Sequence, residues 1–260
     1  MSLDNADLER RFGGLRRLYG DAGYEQLRQA RFAVVGLGGV GSWAVEALAR
    51  SGVAQLVLID LDNVAESNIN RQVQATGSTV GMAKAEALRQ RIADIHPACD
   101  VLCIEEFAGP DNWPALLPGP VDGLIDACDQ SAAKLTLASW AWQSRTPAVC
   151  VGAAGGKREA QRVEVADLSE TTHDPLLASL RQRLRKLGAP RQGRMGVHCV
   201  FSRESVALPQ AGDACNTDGS LNCHGYGSSV TVTATFGLVA AGELITQYLA
   251  RAASRIEQQG

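Results

Sequence analysis

The chain contains no CxxC pair. Its seven cysteines, Cys99, Cys103, Cys128, Cys150, Cys199, Cys215 and Cys223, form an odd set without regular spacing. Paired cysteines are the usual ligands of a structural zinc, so none is expected. Unpaired, scattered thiols fit a reducing compartment better than a disulfide framework. Aromatic residues make up only 5% of the 260, and none interleaves with the chain's basic stretch. The formal net charge of −3 gives no global attraction to nucleic acid, so any such contact must be a local patch. The N-terminus is charged from Asp4 to Arg17, unlike a signal peptide. The most apolar stretch, Thr231 to Ile245, is interrupted by three threonines and Glu243. It reads as too short to cross a bilayer, and as a buried helix packed on a sheet or a dimer partner. A cytoplasmic protein with no membrane contact is expected.

Hydrophobic residues make up 45% of the chain, enough for a sizeable core. The expected organisation is one domain over 1–260: a helical segment at 1–30, a nucleotide-binding core at 31–158 and a substrate-binding, dimer-forming extension at 159–260. The core begins with an apolar run, Phe32 to Val35, entering Gly36-Leu37-Gly38-Gly39-Val40-Gly41. A helical pattern follows, then the apolar run Leu56 to Ile59, ending on Asp60. Strand, glycine turn, helix, strand and terminal acid make a βαβ nucleotide-binding unit. Gly36 allows the tight turn, Gly38 the approach of a phosphate, and Gly41 close helix–strand packing. Gly39 lies beside them, and the helix start favours anions. Asp60, about 20 residues past the glycines, is placed to take the ribose hydroxyls.

This fingerprint alone suggests NAD, but the residues after it do not. Asp62 and the segment Ser67-Asn68-Ile69-Asn70-Arg71 follow Asp60 directly; Gly81-Met82-Ala83-Lys84 opens a helix, and Asp126-Ala127-Cys128-Asp129 ends an apolar strand. Arg and Lys supply charge for a triphosphate, Asn a donor, and a strand-end Asp can hold Mg²⁺ through water. The set fits an enzyme that cleaves ATP between its α and β phosphates.

With GLGGVG, IDxDxVxxSNxNRQ, GMAK and DACD in place over Arg11 to Val165, the sequence resembles the adenylating enzymes related to the ubiquitin-activating enzyme, which include activators of thiamin and molybdopterin sulfur carriers. The resemblance implies ATP and Mg²⁺ as cofactors. Asp60 would hold ribose, Asn68, Arg71 and Lys84 would hold or polarise the phosphates, and Asp129 would carry the metal; Asp126 would cap or orient the loop. It also implies a homodimer, in which an N-terminal arginine reaches the partner's phosphates. The aligned position is Gly14, which leaves Arg11, Arg16 and Arg17 as substitutes.

The rest of the chain alternates helix and strand, predicting a doubly wound, mainly parallel α/β sheet of Rossmann-like type with a C-terminal mixed extension and helix. A first helix carries a stripe of Leu8, Phe12, Leu15 and Leu18 or Tyr19. Helices are expected at Gly81 to His96 and Ala132 to Ser144, and strands at Val101 to Ile104, Leu124 to Asp126, Pro147 to Gly152, Gln161 to Val165 and Gly196 to Ser202. Asp174 is a candidate N-cap, with Pro175 in the first turn. That helix and its exit carry Arg181, Arg183, Arg185, Lys186, Arg191 and Arg194, which suit either a solvated face or a phosphate backbone. Ser202 to Gly227 reads as a long polar loop, with Cys215 and Cys223 as passive or reachable thiols.

The missing zinc pairs, the RFGGxxRLYG opening, the basic helix and the GYGSSVTVTATFG close resemble the branch of this family that dehydrates threonylcarbamoyladenosine in tRNA. For that branch the resemblance implies AMP-forming cyclisation in the anticodon loop, with that tRNA as partner and the six basic residues as its contacts. A cysteine-desulfurase sulfur-relay system is a further partner in view. The alternative is an activator of a small ubiquitin-like sulfur carrier. A silent nucleotide sensor and a NAD-dependent oxidoreductase complete the alternatives.

Overall fold

The computed structural model describes residues 6–207 and 226–257, the side chains of 254–257 excepted. Seven strands form one sheet: β1 (Arg31–Val35), β2 (Gln55–Ile59), β3 (Asp100–Ile104), β4 (Gly123–Asp126), β5 (Ala148–Val151), β6 (Val163–Asp167) and β7 (His198–Ser202), in the order β3-β2-β1-β4-β5-β7-β6. All neighbours are parallel except β6 and β7. The apolar runs become strands buried on both faces, as parallel strands require: only the first residue of β1, β2 and β5 is less than buried. The chain leaves β1 toward β2 and returns to its other side at β4. This reversal opens a crevice at the C-terminal ends of β1 and β4.

Helices α3 (Gly41–Arg50), α4 (Lys84–Ile95), α5 (Ser131–Ser144), α6 (Pro175–Lys186) and α7 (Val230–Glu257) cover the two faces. Helix α7 corrects the expected length. It has 28 residues, about 42 Å at the helical rise, and is long and apolar enough to cross a bilayer. Here it packs as a core helix, with Val232, Phe236, Ala240, Ala241, Leu244 and Ile245 buried. A Cβ at Gly237 would overlap the Val40 carbonyl oxygen, so α3 and α7 meet backbone to backbone through that glycine.

Two other expectations change. The helix read from Gly81 starts at Lys84: Gly81 sits at φ +87° and Ala83 is not helical, so 81–83 form a turn instead. The N-terminal stripe divides into α1 (Leu8–Phe12) and α2 (Gly14–Leu27), with non-helical backbone at Gly20. Phe12 is buried and Leu15 and Tyr19 pack against the core, whereas Leu18, off that stripe, is 70% exposed.

Candidate nucleotide-binding site

The cleft at the C-terminal ends of the central strands is assembled from the glycine turn. Gly36 N–H donates to the Ile59 carbonyl at 2.9 Å, tying the turn to β2. Gly36 has φ +85°, and a Cβ there would meet the backbone of Ala127 and Cys128 within 3 Å, so the turn rests on the segment after β4. Asp60, 8% exposed, accepts from Leu37 N–H at 2.6 Å and from Asp62 N–H at 2.9 Å, one bond to each oxygen. Each oxygen keeps a lone pair for a ribose hydroxyl. Burial pushes the Asp60 pKa up, and Lys84 opposes it.

Lys84, itself buried, places Nζ 2.6 Å from Asp62 Oδ2 and 4.0 Å from Asp60 Oδ1. It is a cation held between two acids at the wall of the cleft. Arg71 lines the same cleft, its side chain lying against Gly39. Its Nη1 donates to the Ser67 carbonyl at 2.8 Å and to Asn70 Oδ1 at 2.9 Å, and desolvation lowers its pKa. Asp129, on the turn between β4 and α5, faces the same cleft and has no hydrogen-bond partner among the described residues. Gly36, Gly38, Gly39, Asp60, Asp62, Arg71, Lys84 and Asp129 therefore share one cavity wall.

Two expected site residues do not line that cavity. Gly41 lies behind it, where a Cβ would overlap the Gly36 carbonyl oxygen, so its role is packing. Asn68 is buried and accepts from Ala65 N–H at 3.0 Å, closing the 3₁₀ turn at Glu66–Asn68 that leads to Arg71. Sequence reading missed Phe107 and Ala108 after β3, Gly152 to Gly155 after β5, and Ser228 and Thr233 near the start of α7. The segments after β3 and β5 follow strand ends that face the crevice, which was the available signal. Among the described residues no cluster of three His, Cys, Asp or Glu side chains could hold a metal.

The ThiF family profile matches residues 11–258. The chain belongs to the ThiF family. Among its relatives is the tRNA threonylcarbamoyladenosine dehydratase of Haemophilus influenzae, 39% identical over 251 residues and covering 95% of each chain. The crystal structure of Escherichia coli tRNA N6-threonylcarbamoyladenosine dehydratase in complex with ATP superposes with a TM-score of 0.86 at 39% identity, over 96% of this chain and 98% of that one. The same enzyme in complex with AMP gives 0.86 at 39% identity, over 95% and 98%.

In this ThiF-family chain, α6 begins at the cleft, with Leu176 in its wall. Asp174 caps the helix through Leu177 N–H at 3.0 Å and also accepts from Ala153 N–H at 2.8 Å, joining helix and cleft. The six basic residues do not act alike. Arg181 donates to the carbonyls of Leu168 at 3.0 Å and Thr171 at 2.9 Å, and Arg185 Nε is buried with no partner among the described residues. These two turn inward, because α6 buries its Leu177, Leu180 and Leu184 face nearby. Arg183, Lys186, Arg191 and Arg194 are exposed. Of the N-terminal candidates, Arg11 donates to the carbonyls of Asp94 and Ile95 at the end of α4, and Arg16 is held by Glu9, Asp21 and Glu25. Exposed Arg17 has no ion pair among the described residues.

Cys215, Cys223 and most of the expected loop lie outside the described residues. The flanks are anchored. Lys157 Nζ donates to the carbonyls of Ser202 at 3.1 Å and Glu204 at 2.9 Å, while Gly156 bonds both Ala207 and Gly227 through its backbone.

Proposed function

We propose that this chain catalyses the ATP-dependent dehydration of N6-threonylcarbamoyladenosine in the tRNA anticodon loop, releasing AMP and pyrophosphate. The observation that carries this reading is the near-full-length likeness to the dehydratase solved with ATP and with AMP, joined to a cleft carrying Asp60, Arg71, Lys84 and Asp129. The substrate carboxylate attacks the α phosphorus, the α–β bridge breaks, and pyrophosphate leaves. The neighbouring urea nitrogen then attacks the activated acyl carbon. It loses its proton as AMP departs, carrying away the carboxylate oxygen. The net loss from the nucleoside is one water. The nucleophile is already in the substrate, at high effective concentration, so no enzyme cysteine is needed.

In this mechanism Asp60 orients the ribose. Arg71 and Lys84 oppose the charge that grows on the phosphates as the bridge breaks. Lys84 exchanges Asp62 for phosphate oxygens over a short reach, since Asp62 is on the exposed side of the pair. Asp129 fits a magnesium ion, because one unengaged carboxylate together with substrate phosphates is how Mg²⁺ is commonly held. When bound, the ion neutralises phosphate charge. The exposed cations on and beyond α6 hold the tRNA backbone. We read residues 1–260 as one adenylating domain of a cytoplasmic homodimer, in which Arg17 reaches the partner's phosphates. The sulfur-carrier alternative lacks its zinc pairs, and nothing in the cleft favours it.

The deciding experiment compares AMP release with tRNA bearing the threonylcarbamoyl group and with tRNA lacking it. AMP formed only with the modified tRNA, while that nucleoside loses the mass of one water, supports the reading. ADP release, or AMP release indifferent to the modification, ends it. A second expectation concerns the basic surface. Lys186→Glu with Arg191→Glu raises the tRNA KM on the order of tenfold and flattens its log–log salt slope by roughly one to two. The kcat should hold, because both side chains are exposed and outside the cleft wall. An unchanged KM returns α6 to a solvated face.

A further inference from the structure

Behind the cleft lies a buried ion pair, neither member of which lines the cleft wall. Lys134, on the second turn of α5, is fully buried. Its Nζ stands 2.9 Å from Asp126 Oδ2 and 3.4 Å from the Asp126 carbonyl oxygen, at the end of β4. The other carboxylate oxygen, Oδ1, accepts from Cys128 N–H at 3.2 Å and from the Cys128 thiol at 2.8 Å. The Cys150 thiol donates to Oδ2 at 3.3 Å. Ala127 N–H is bonded to the Val35 carbonyl at 2.9 Å, and Gly36 packs on the Ala127–Cys128 peptide. Three of the four bonds of the Asp126 carboxylate therefore bear on the turn that carries Asp129 or on the helix that follows it, and the fourth ties it to β5 through Cys150.

Stability is a poor explanation for such a pair. Two charges taken out of water cost several kcal/mol each, and apolar replacement of a whole buried pair is often neutral. What the pair supplies is direction. A carboxylate fixed by Lys134 cannot rotate, so the Cys128 N–H it holds, and the backbone running on to Asp129, have one orientation.

We propose that Lys134 is a positioning residue for AMP formation: through Asp126 it sets the turn that presents Asp129 to the phosphates. It touches neither nucleotide nor metal. This rests on the reading of the cleft as an adenylating site. The signal in the sequence was a single lysine in the otherwise uncharged stretch Ser131 to Ser144.

The test uses Lys134→Met and the neutral double variant Asp126→Asn/Lys134→Met in the full chain. ATP binding is measured calorimetrically with Mg²⁺ and with EDTA, beside melting temperature and AMP release. Lys134→Met should raise the Mg²⁺ concentration for half-maximal ATP binding about tenfold or more, as loss of a partner behind a metal ligand does. Binding in EDTA should stay at the wild-type value. The double variant, with no uncompensated charge, should regain the wild-type melting temperature and keep the Mg²⁺ defect. A purely structural role predicts the reverse, with Mg²⁺ dependence restored along with stability. That result, or an unaltered Mg²⁺ dependence in Lys134→Met, overturns the proposal. A wild-type protein that binds ATP with Mg²⁺ but releases no AMP would sink the adenylation reading, while the calorimetric comparison still decides the role of Lys134.

Discussion

Asp129→Ala is expected to abolish AMP release while the melting temperature stays within about 2 °C of wild type, the range of a neutral surface change. The two halves of this expectation come from one observation. Asp129 faces the cleft without a hydrogen-bond partner among the described residues, so removing it orphans no donor. Its neighbour Asp126, with four donors on its two oxygens, is the opposite case. A carboxylate on a cleft-side turn that holds nothing together is available for chemistry. Loss of one preorganised electrostatic group costs on the order of 10²–10³ in kcat, and removal of the carboxylate proposed to hold the metal belongs at the upper end. ATP–pyrophosphate exchange over a Mg²⁺ series reads this directly. Exchange that survives within about tenfold of wild type assigns the metal elsewhere, with Glu106, also on the cleft wall, as the next carboxylate to replace.

The features legible in the sequence are those whose causes are local. The glycine turn, the buried strands on either side and the acid at the end of β2 all lie within Arg31–Asp60, and each residue type has one steric or electrostatic reason to be there. The Asp174–Pro175 helix start is local in the same way, and the structure shows the cap. Where tertiary partners decide, the sequence misleads. Arg181 looks like its neighbours, but its guanidinium is occupied by the carbonyls of Leu168 and Thr171, ten or more residues away. Asn68 is a different case: its oxygen closes a three-residue turn with Ala65, which leaves the side-chain NH2, the donor the sequence reading called for, unengaged among the described residues. Phe107 and Gly155 reach one cleft only through the order β3-β2-β1-β4-β5, which no single segment contains. Helix α7 outran its expected end because it still finds partners past the apolar run at Ile245: Gln247 accepts from Ala148 N–H, and Tyr248 donates to the Gln26 carbonyl while its ring meets Phe32 edge-on.

The second large effect belongs to Gly41, and Gly38 provides the contrast. A Cβ at Gly41 would overlap the Gly36 carbonyl oxygen and lie 3.3 Å from the Ala127 Cβ, so the first obstacle is backbone, which cannot swing aside. Gly36 in turn has the Ala127–Cys128 peptide within 3 Å of its own Cβ position, so it has nowhere to retreat. Gly41→Ala therefore forces the glycine turn, α3 and the Asp129 turn apart together. Overpacking of this kind costs about 1–3 kcal/mol, or roughly 2–12 °C in melting temperature for a chain of this size. A shift of about 1 Å in the phosphate-binding turn costs on the order of 10²-fold in turnover. At Gly38 a Cβ meets nothing within 4 Å, because the position faces the open cleft. Gly38→Ala should leave the melting temperature alone and weaken ATP binding, since the methyl group occupies space that a phosphate needs. Gly41→Ala should lower both. Calorimetric ATP titration and thermal melts on the two variants separate a glycine kept for packing from one kept for the ligand. If Gly41→Ala melts like wild type, α3 is free to slide and the backbone contact with Gly36 does not constrain the site.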